Sequence, residues 1–156
     1  MLDGLFCIGM TKIFTIGFSG KSPEAFLDVL NAARISCVWD IRQWRTSAYV
    51  PYYNGDNLAE VLGNHYEYHP EFAPTSDILA GHKDKKITWA EYEKLYRELL
   101  QRRNPLQDCG VSRLDRICLL CTENRPCNAI VGSPPNILRN NYQILKSCIY
   151  KNSAWG

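Results

Sequence analysis

Strand, helix and strand follow one another between Lys12 and Ile41, and this unit constrains the fold more than any other feature of the chain. Lys12-Ile13-Phe14-Thr15-Ile16 is a β-branched and aromatic run closed by Gly17, the pattern of a strand. Ser22-Pro23 then supplies a capping hydroxyl and a proline at the first helical position. Phe26, Leu27, Leu30 and Ala33 recur at helical spacing, which predicts a helix running to about Arg34. Cys37-Val38-Trp39-Asp40-Ile41 is a second strand. Strands joined through a helical crossover are parallel, so the chain is committed to a parallel sheet covered by helices.

The rest of the chain extends that plan. Arg42 to Asn57 is irregular and carries Pro51 and Gly55, after which Asn57 is placed to cap a short helix through Gly63. Tyr66-Glu67-Tyr68-His69 alternates and stops at Pro70, as a third strand would; Glu71 to Lys86, with Pro74 and Gly81, reads as a loop. Thr88-Trp89-Ala90-Glu91 is a capping box, and Trp89, Tyr92, Leu95, Tyr96, Leu99 and Leu100 form one apolar face behind it. Arg102 and Arg103 suit the negative end of that helix, and Asn104-Pro105 stops it. Arg116-Ile117-Cys118-Leu119-Leu120-Cys121 is apolar on both faces, which predicts a central strand. Ile137, Leu138, Tyr142, Leu145 and Ile149 are helix-spaced, giving a C-terminal helical segment over 135–150.

With 156 residues, the chain buries roughly two-thirds of its unfolded surface on folding, enough for one core. The expectation is a single α/β domain over residues 1–156, with a mostly parallel sheet of about four strands and helices on both faces. Hydrophobic residues at 46% and charged residues at 22% exclude a disordered tail or a coiled coil. Eighteen basic against sixteen acidic side chains leave +2, too little to argue for a nucleic-acid or membrane partner by charge alone. No apolar stretch approaches twenty residues, so no membrane contact is expected. The cysteine count is seven, an odd number, and no secretory signal is apparent; the reading is a cytoplasmic protein with free thiols.

Ligands of open parallel sheets bind beyond the carboxyl ends of the strands. The first strand delivers Gly17-Phe18-Ser19 there, the second Asp40 and Arg42 with Arg45 beyond, and the fourth Cys121, Thr122 and Glu123. Asp40 and Arg42 are two residues apart, on one side of an extended chain. They form either an ion pair that anchors the loop or a carboxylate that orients an arginine toward an anion. Asp40 can satisfy only one guanidinium well, so Arg45 is expected to be left for an external anion unless Glu67 or Glu71 pairs with it. Trp39, Trp44, Tyr49, Tyr52 and Tyr53 surround the arginines; they serve as packing or as surfaces for a stacked base. Cys121 is a nucleophile if Arg42 or Arg125 lowers its pKa, and a structural thiol otherwise. Cys118 and Cys121 point to opposite faces of a strand and so do not converge on a metal with Cys127 and Cys109; no metal and no cofactor are expected. His65, His69 and His82 form no metal-like pair and read as surface or edge residues. Gly17-Phe18-Ser19-Gly20 is too short for a nucleotide-binding glycine fingerprint.

Taken in order, these segments resemble the family catalogued as domain of unknown function 488. The resemblance rests on Thr15-Ile16-Gly17-Phe18-Ser19, Ser22-Pro23-Glu24-Ala25-Phe26, Trp39-Asp40-Ile41-Arg42 with Arg45 and Pro51, the helix Trp89 through Leu100, and Leu119-Leu120-Cys121-Thr122-Glu123 with Cys127. It covers roughly residues 11–130. Where the family carries Cys-His-Arg, this chain has Cys127-Asn128-Ala129, and after Val131 the family's closing helix and strand are not matched. The resemblance implies a fold and a site, not a reaction. A fainter likeness to rhodanese-type sulfurtransferases and cysteine-dependent phosphatases fails at one point: six residues after Cys121 stands Cys127, where their anion loop ends in arginine.

Two functions are therefore expected to compete, beside a third in which the chain is a degenerate family member that acts only in interaction. One is an enzyme acting on a phosphorylated or nucleotide-like substrate, with Cys121, Glu123 and Asp40 as catalytic groups and Arg42, Arg45, Ser19 and Tyr53 as substrate-binding groups. The other is a non-catalytic module that binds nucleic acid or a nucleotide through the Arg42 to Tyr53 loop, so the expected partner is a small anionic or nucleotide-like ligand or a nucleic acid.

Overall fold

The computed structural model describes residues 14–18, 20–107, 109 and 111–121, with the backbone alone at 15, 111 and 121. It is an α/β domain built on one four-stranded parallel sheet. In chain order the elements are β1 (Phe14–Gly17), α1 (Pro23–Ala32), β2 (Cys37–Asp40), α2 (Gly55–Leu62), β3 (Tyr66–Tyr68), α3 (Ser76–Lys83), α4 (Trp89–Arg103), α5 (Val111–Leu114) and β4 (Ile117–Cys121). The strand order is β1-β4-β2-β3, so the apolar β4 is central, as its composition requires. β1 and β2 flank it and do not pair with each other.

Alternation along the strands sorts the core into two layers. Val38, Cys118, Leu120 and Ile16 pack with Phe26 and Leu30 of α1 and Leu58 of α2. Trp39, Ile117 and Leu119 face the other way, onto Ile78 of α3, Leu114 of α5 and Tyr92, Tyr96, Leu99 and Leu100 of α4. Helices thus cover both faces.

The helix starts follow the capping chemistry. Ser22 accepts from the Ala25 amide at 3.1 Å ahead of Pro23. Thr88 accepts from the Glu91 amide at 3.3 Å while the Glu91 carboxylate accepts from the Thr88 amide at 2.7 Å, a closed capping box. Asn104 ends α4 in the left-handed region at φ 41°.

Two segments depart from expectation. The stretch read as a loop between Glu71 and Lys86 contains α3. Pro74 lies just before the cap residue Thr75, which accepts from the Ile78 amide, so it precedes the helix and does not break it. Gly81 sits inside α3 because Ile87 returns over it: a side-chain methyl at this position would stand only 3.3 Å from the Ile87 Cδ1. The helix expected from Asn57 begins earlier, at Gly55. Asn57 lies inside it and donates to the Pro51 carbonyl at 2.6 Å, and the start is set by the Gly55 amide donating to the Arg45 carbonyl at 2.9 Å. The expected helical segment over 135–150 lies outside the described residues. Among the described residues, no helix is long and apolar enough to cross a membrane.

Candidate functional site

The carboxyl edge of the sheet carries a buried polar chain that starts at the last residue of β2. The Asp40 side chain is 0% exposed and Arg42 is 8% exposed. Arg42 grips the carboxylate with two parallel bonds, Nε to Oδ1 at 2.8 Å and Nη2 to Oδ2 at 2.7 Å, and its own amide donates to Oδ1 at 3.2 Å. The Tyr66 hydroxyl donates to Oδ2 at 2.7 Å. Asp40 therefore acts as an acceptor for three groups and stands in the geometry of an anchor.

Arg45 continues the chain outward. Its Nη1 donates to the Tyr66 hydroxyl oxygen at 3.1 Å, and its guanidinium carbon lies 3.7 Å from the centre of the Tyr68 ring. Tyr66 and Tyr68 reach these positions because β3 pairs with β2 in a register that sets Tyr66 beside Val38 and Tyr68 beside Asp40. Gly55 closes the third side. A Cβ there would collide with the Arg45 Nη1 and Cζ atoms, so the guanidinium occupies space that only a glycine leaves.

Arg45 makes no ion pair among the described residues. The two carboxylates considered for it are engaged elsewhere: Glu67 meets Arg113 and His69, and Glu71 meets His69. The Tyr66 hydrogen bond holds the Arg45 guanidinium above its ordinary pKa. Burial, followed by the hydrogen bond to the Asp40 carboxylate, pushes the Tyr66 phenol up to about 12 against the opposing pull of Arg45. A phenol that keeps its proton more tightly when folded stabilises the fold fully below its unfolded value of 10.0, and that stabilisation is lost as pH rises toward about 12. Unfolding free energy measured across this window is expected to fall more steeply with pH in the wild type than in Tyr66→Phe; parallel slopes would contradict the assignment.

The remaining candidate residues fall as follows. Tyr53 is buried; it stacks on Phe18 with ring centres 4.6 Å apart and donates to the Lys21 carbonyl at 2.8 Å. Phe18 in turn lies under Arg42, with 5.3 Å between guanidinium carbon and ring centre, so Tyr53 supports the ion pair from behind. The Cys121 backbone ends β4 beside Gly17, one residue past Leu120, the register partner of Asp40. Ser19 and Glu123 lie outside the described residues. Trp44, Tyr49 and Tyr52 on the loop after β2 are 68%, 95% and 63% exposed. That loop is irregular but tied down: the Ser47 amide donates to the Asn54 side chain at 2.7 Å, and Gln43 Nε2 donates to the Ser76 hydroxyl at 2.7 Å.

Among the described residues, no three His, Cys, Asp or Glu side chains are arranged to hold a metal ion. Burial pushes the Cys37 thiol up to about 11 and the Cys118 thiol up to about 12, which makes both poor nucleophiles. The sequence reading passed over Tyr66, Tyr68 and Gly55. Tyr66 and Tyr68 share a face by simple alternation, but only the pairing of β3 with β2 brings that face to Asp40. His69, read as an edge residue, has both ring nitrogens within 2.8 Å of a glutamate oxygen.

A family model described as "Domain of unknown function DUF488" matches residues 22–131. No curated protein and no solved structure matches the chain.

Proposed function

We propose that this chain, which belongs to the domain of unknown function 488 family, recognises a phosphorylated or nucleotide-like substrate at the carboxyl ends of its strands, with Arg45 as the anion contact. One observation carries the reading: Asp40 neutralises Arg42 bidentately, while Arg45 is held in place by a phenol and an aromatic ring instead of a carboxylate. A guanidinium fixed in this way keeps its charge for a ligand and loses little freedom on binding it. In the enzymatic form of the proposal, Cys121, the last residue of β4, is the nucleophile and Glu123, two residues further along the chain, the acid or base.

The second reading is a non-catalytic module for nucleic acid or nucleotides. The exposure of Trp44, Tyr49 and Tyr52 on the same loop as Arg45 favours it, since bases stack on such rings without sequence preference.

Titration of phosphate, sulfate and a mononucleotide, followed by the fluorescence of the exposed Trp44, tests the common core of both readings. Arg45→Ala is expected to weaken binding by about ten- to a hundred-fold, the value of a charge-assisted contact. Equal affinity in both proteins, or no binding at millimolar ligand in either, would overturn the anion role. Cys121→Ser separates the two forms: loss of turnover with binding intact supports the enzyme. Unchanged binding with a steep salt dependence supports the module.

A further inference from the structure

We propose that the opposite face of the sheet carries a second binding site, which takes the carboxylate of a small organic monoanion in the cavity between the ends of β2 and β3 and the C-terminal end of α4. The cavity has a volume of about 300 Å³, and its walls include Trp39, His69, Arg103, Asn104, Gln107 and Arg113. That volume is at the lower end of small-molecule sites. The site is separate from Arg45, because Trp39 turns toward the α4 layer of the core while Tyr66, which binds Asp40, packs with the α1 and α2 layer.

Arg103 carries the argument. Its Nη1 donates to the Glu71 carbonyl at 3.0 Å and the Ala73 carbonyl at 2.6 Å, which fixes the guanidinium. Its Nε and Nη2, the edge with which Arg42 grips Asp40, donate to no described residue. This fork matches the two oxygens of a carboxylate. Arg103 makes no ion pair with the acids of the cluster among the described residues. Glu67 accepts from Arg113 Nη2 with both oxygens, at 2.7 and 2.9 Å, and also meets His69 Nε2 at 2.8 Å. Glu71 meets His69 Nδ1 at 2.6 Å.

Charge sets the class of ligand. Ionised carboxylates only accept, so the ring of His69 donates to both glutamates only in the form with a proton on each nitrogen, and the charge balance holds for that form. Two anions, Glu67 and Glu71, then face three cations, His69, Arg103 and Arg113, and the surplus is a single positive charge. A monocarboxylate balances it, whereas a phosphate monoester at about −1.5 to −2 exceeds it. Asn104 and Gln107 add neutral amides, and the Trp39 ring, tilted by 35° against His69 with 4.2 Å between centres, adds an apolar wall.

The test titrates sodium benzoate and, separately, inorganic phosphate into isotopically labelled protein and follows the Trp39 indole and Arg103 Nε–H resonances. Benzoate is expected to shift both and to saturate, in the wild type and equally in Arg45→Ala. Arg103→Lys keeps the charge and loses the fork, and is expected to weaken benzoate about tenfold or more. Arg103→Gln removes both and is expected to weaken it further. Absence of saturable shifts at tens of millimolar benzoate would overturn the site. So would unchanged affinity in a folded Arg103→Lys. Tighter binding of phosphate than of benzoate at these two resonances would overturn the monocarboxylate assignment.

Discussion

Replacing Asp40 by alanine is expected to destabilise the protein by about 3–5 kcal/mol, the cost of leaving a buried charge without its partner. Arg42 is 8% exposed and directs Nε and Nη2 at the Asp40 carboxylate, and the half-buried Tyr66 loses the acceptor for its hydroxyl at the same time. A domain of this size has only about 5–15 kcal/mol of total stability, so the variant should unfold at a clearly lower urea concentration than the wild type. The double variant Asp40→Leu with Arg42→Met removes both charges and is expected to recover much of the loss, since apolar replacement of a buried pair is often neutral or better. Urea midpoints at constant m-value for the three proteins check both statements. A loss below about 1 kcal/mol in Asp40→Ala would show that Arg42 finds another partner.

Gly55→Val is expected to weaken anion binding by displacing Arg45 while leaving the fold in place. The valine Cβ would occupy the position of the Arg45 guanidinium, and the guanidinium must leave the Tyr66 hydroxyl and the Tyr68 ring together. Crowding of this kind costs about 1–3 kcal/mol of stability. The larger effect is on binding, which should fall by the same ten- to hundred-fold as in Arg45→Ala, because in both proteins the charge is missing from its place. Parallel ligand titrations and urea curves of the two variants check this. Wild-type affinity in Gly55→Val would mean that Arg45 binds anions from outside the cradle.

Much of the fold is legible in the residues because local chemistry and tertiary environment agree there. The capping box of α4, the Ser22-Pro23 start of α1 and the doubly apolar β4 each have a single structural meaning. α3 escaped notice for the opposite reason: it contributes only Ile78 to the buried core, and its glycine, with the lysines at and just beyond its end, mimics a loop. At the site, Asp40 and Arg42 are near neighbours in the chain, so their pairing could be anticipated from strand geometry alone. Tyr66 and Gly55 could not be, since their meaning depends on how the strand and the loop fold back onto Arg45. The same holds for the Arg103 cavity, which assembles β3, α4 and α5 from separate parts of the chain.

The position of β4 has a consequence for how the molecule comes into being. β1 finds its partner, and β2 its second one, in a strand made about eighty to a hundred residues later, and the two do not pair with each other. A nascent chain that ends at Asp115 lacks the strand that joins β1 to the β2–β3 pair, and so cannot close the four-stranded sheet. Until Ile117–Cys121 inserts, the apolar edges of β1 and β2 are open to water and to other chains. Such long-range closure is slow and exposes aggregation-prone edges while it lasts. During synthesis, this protein depends on a five-residue segment to turn two unfinished halves into one sheet.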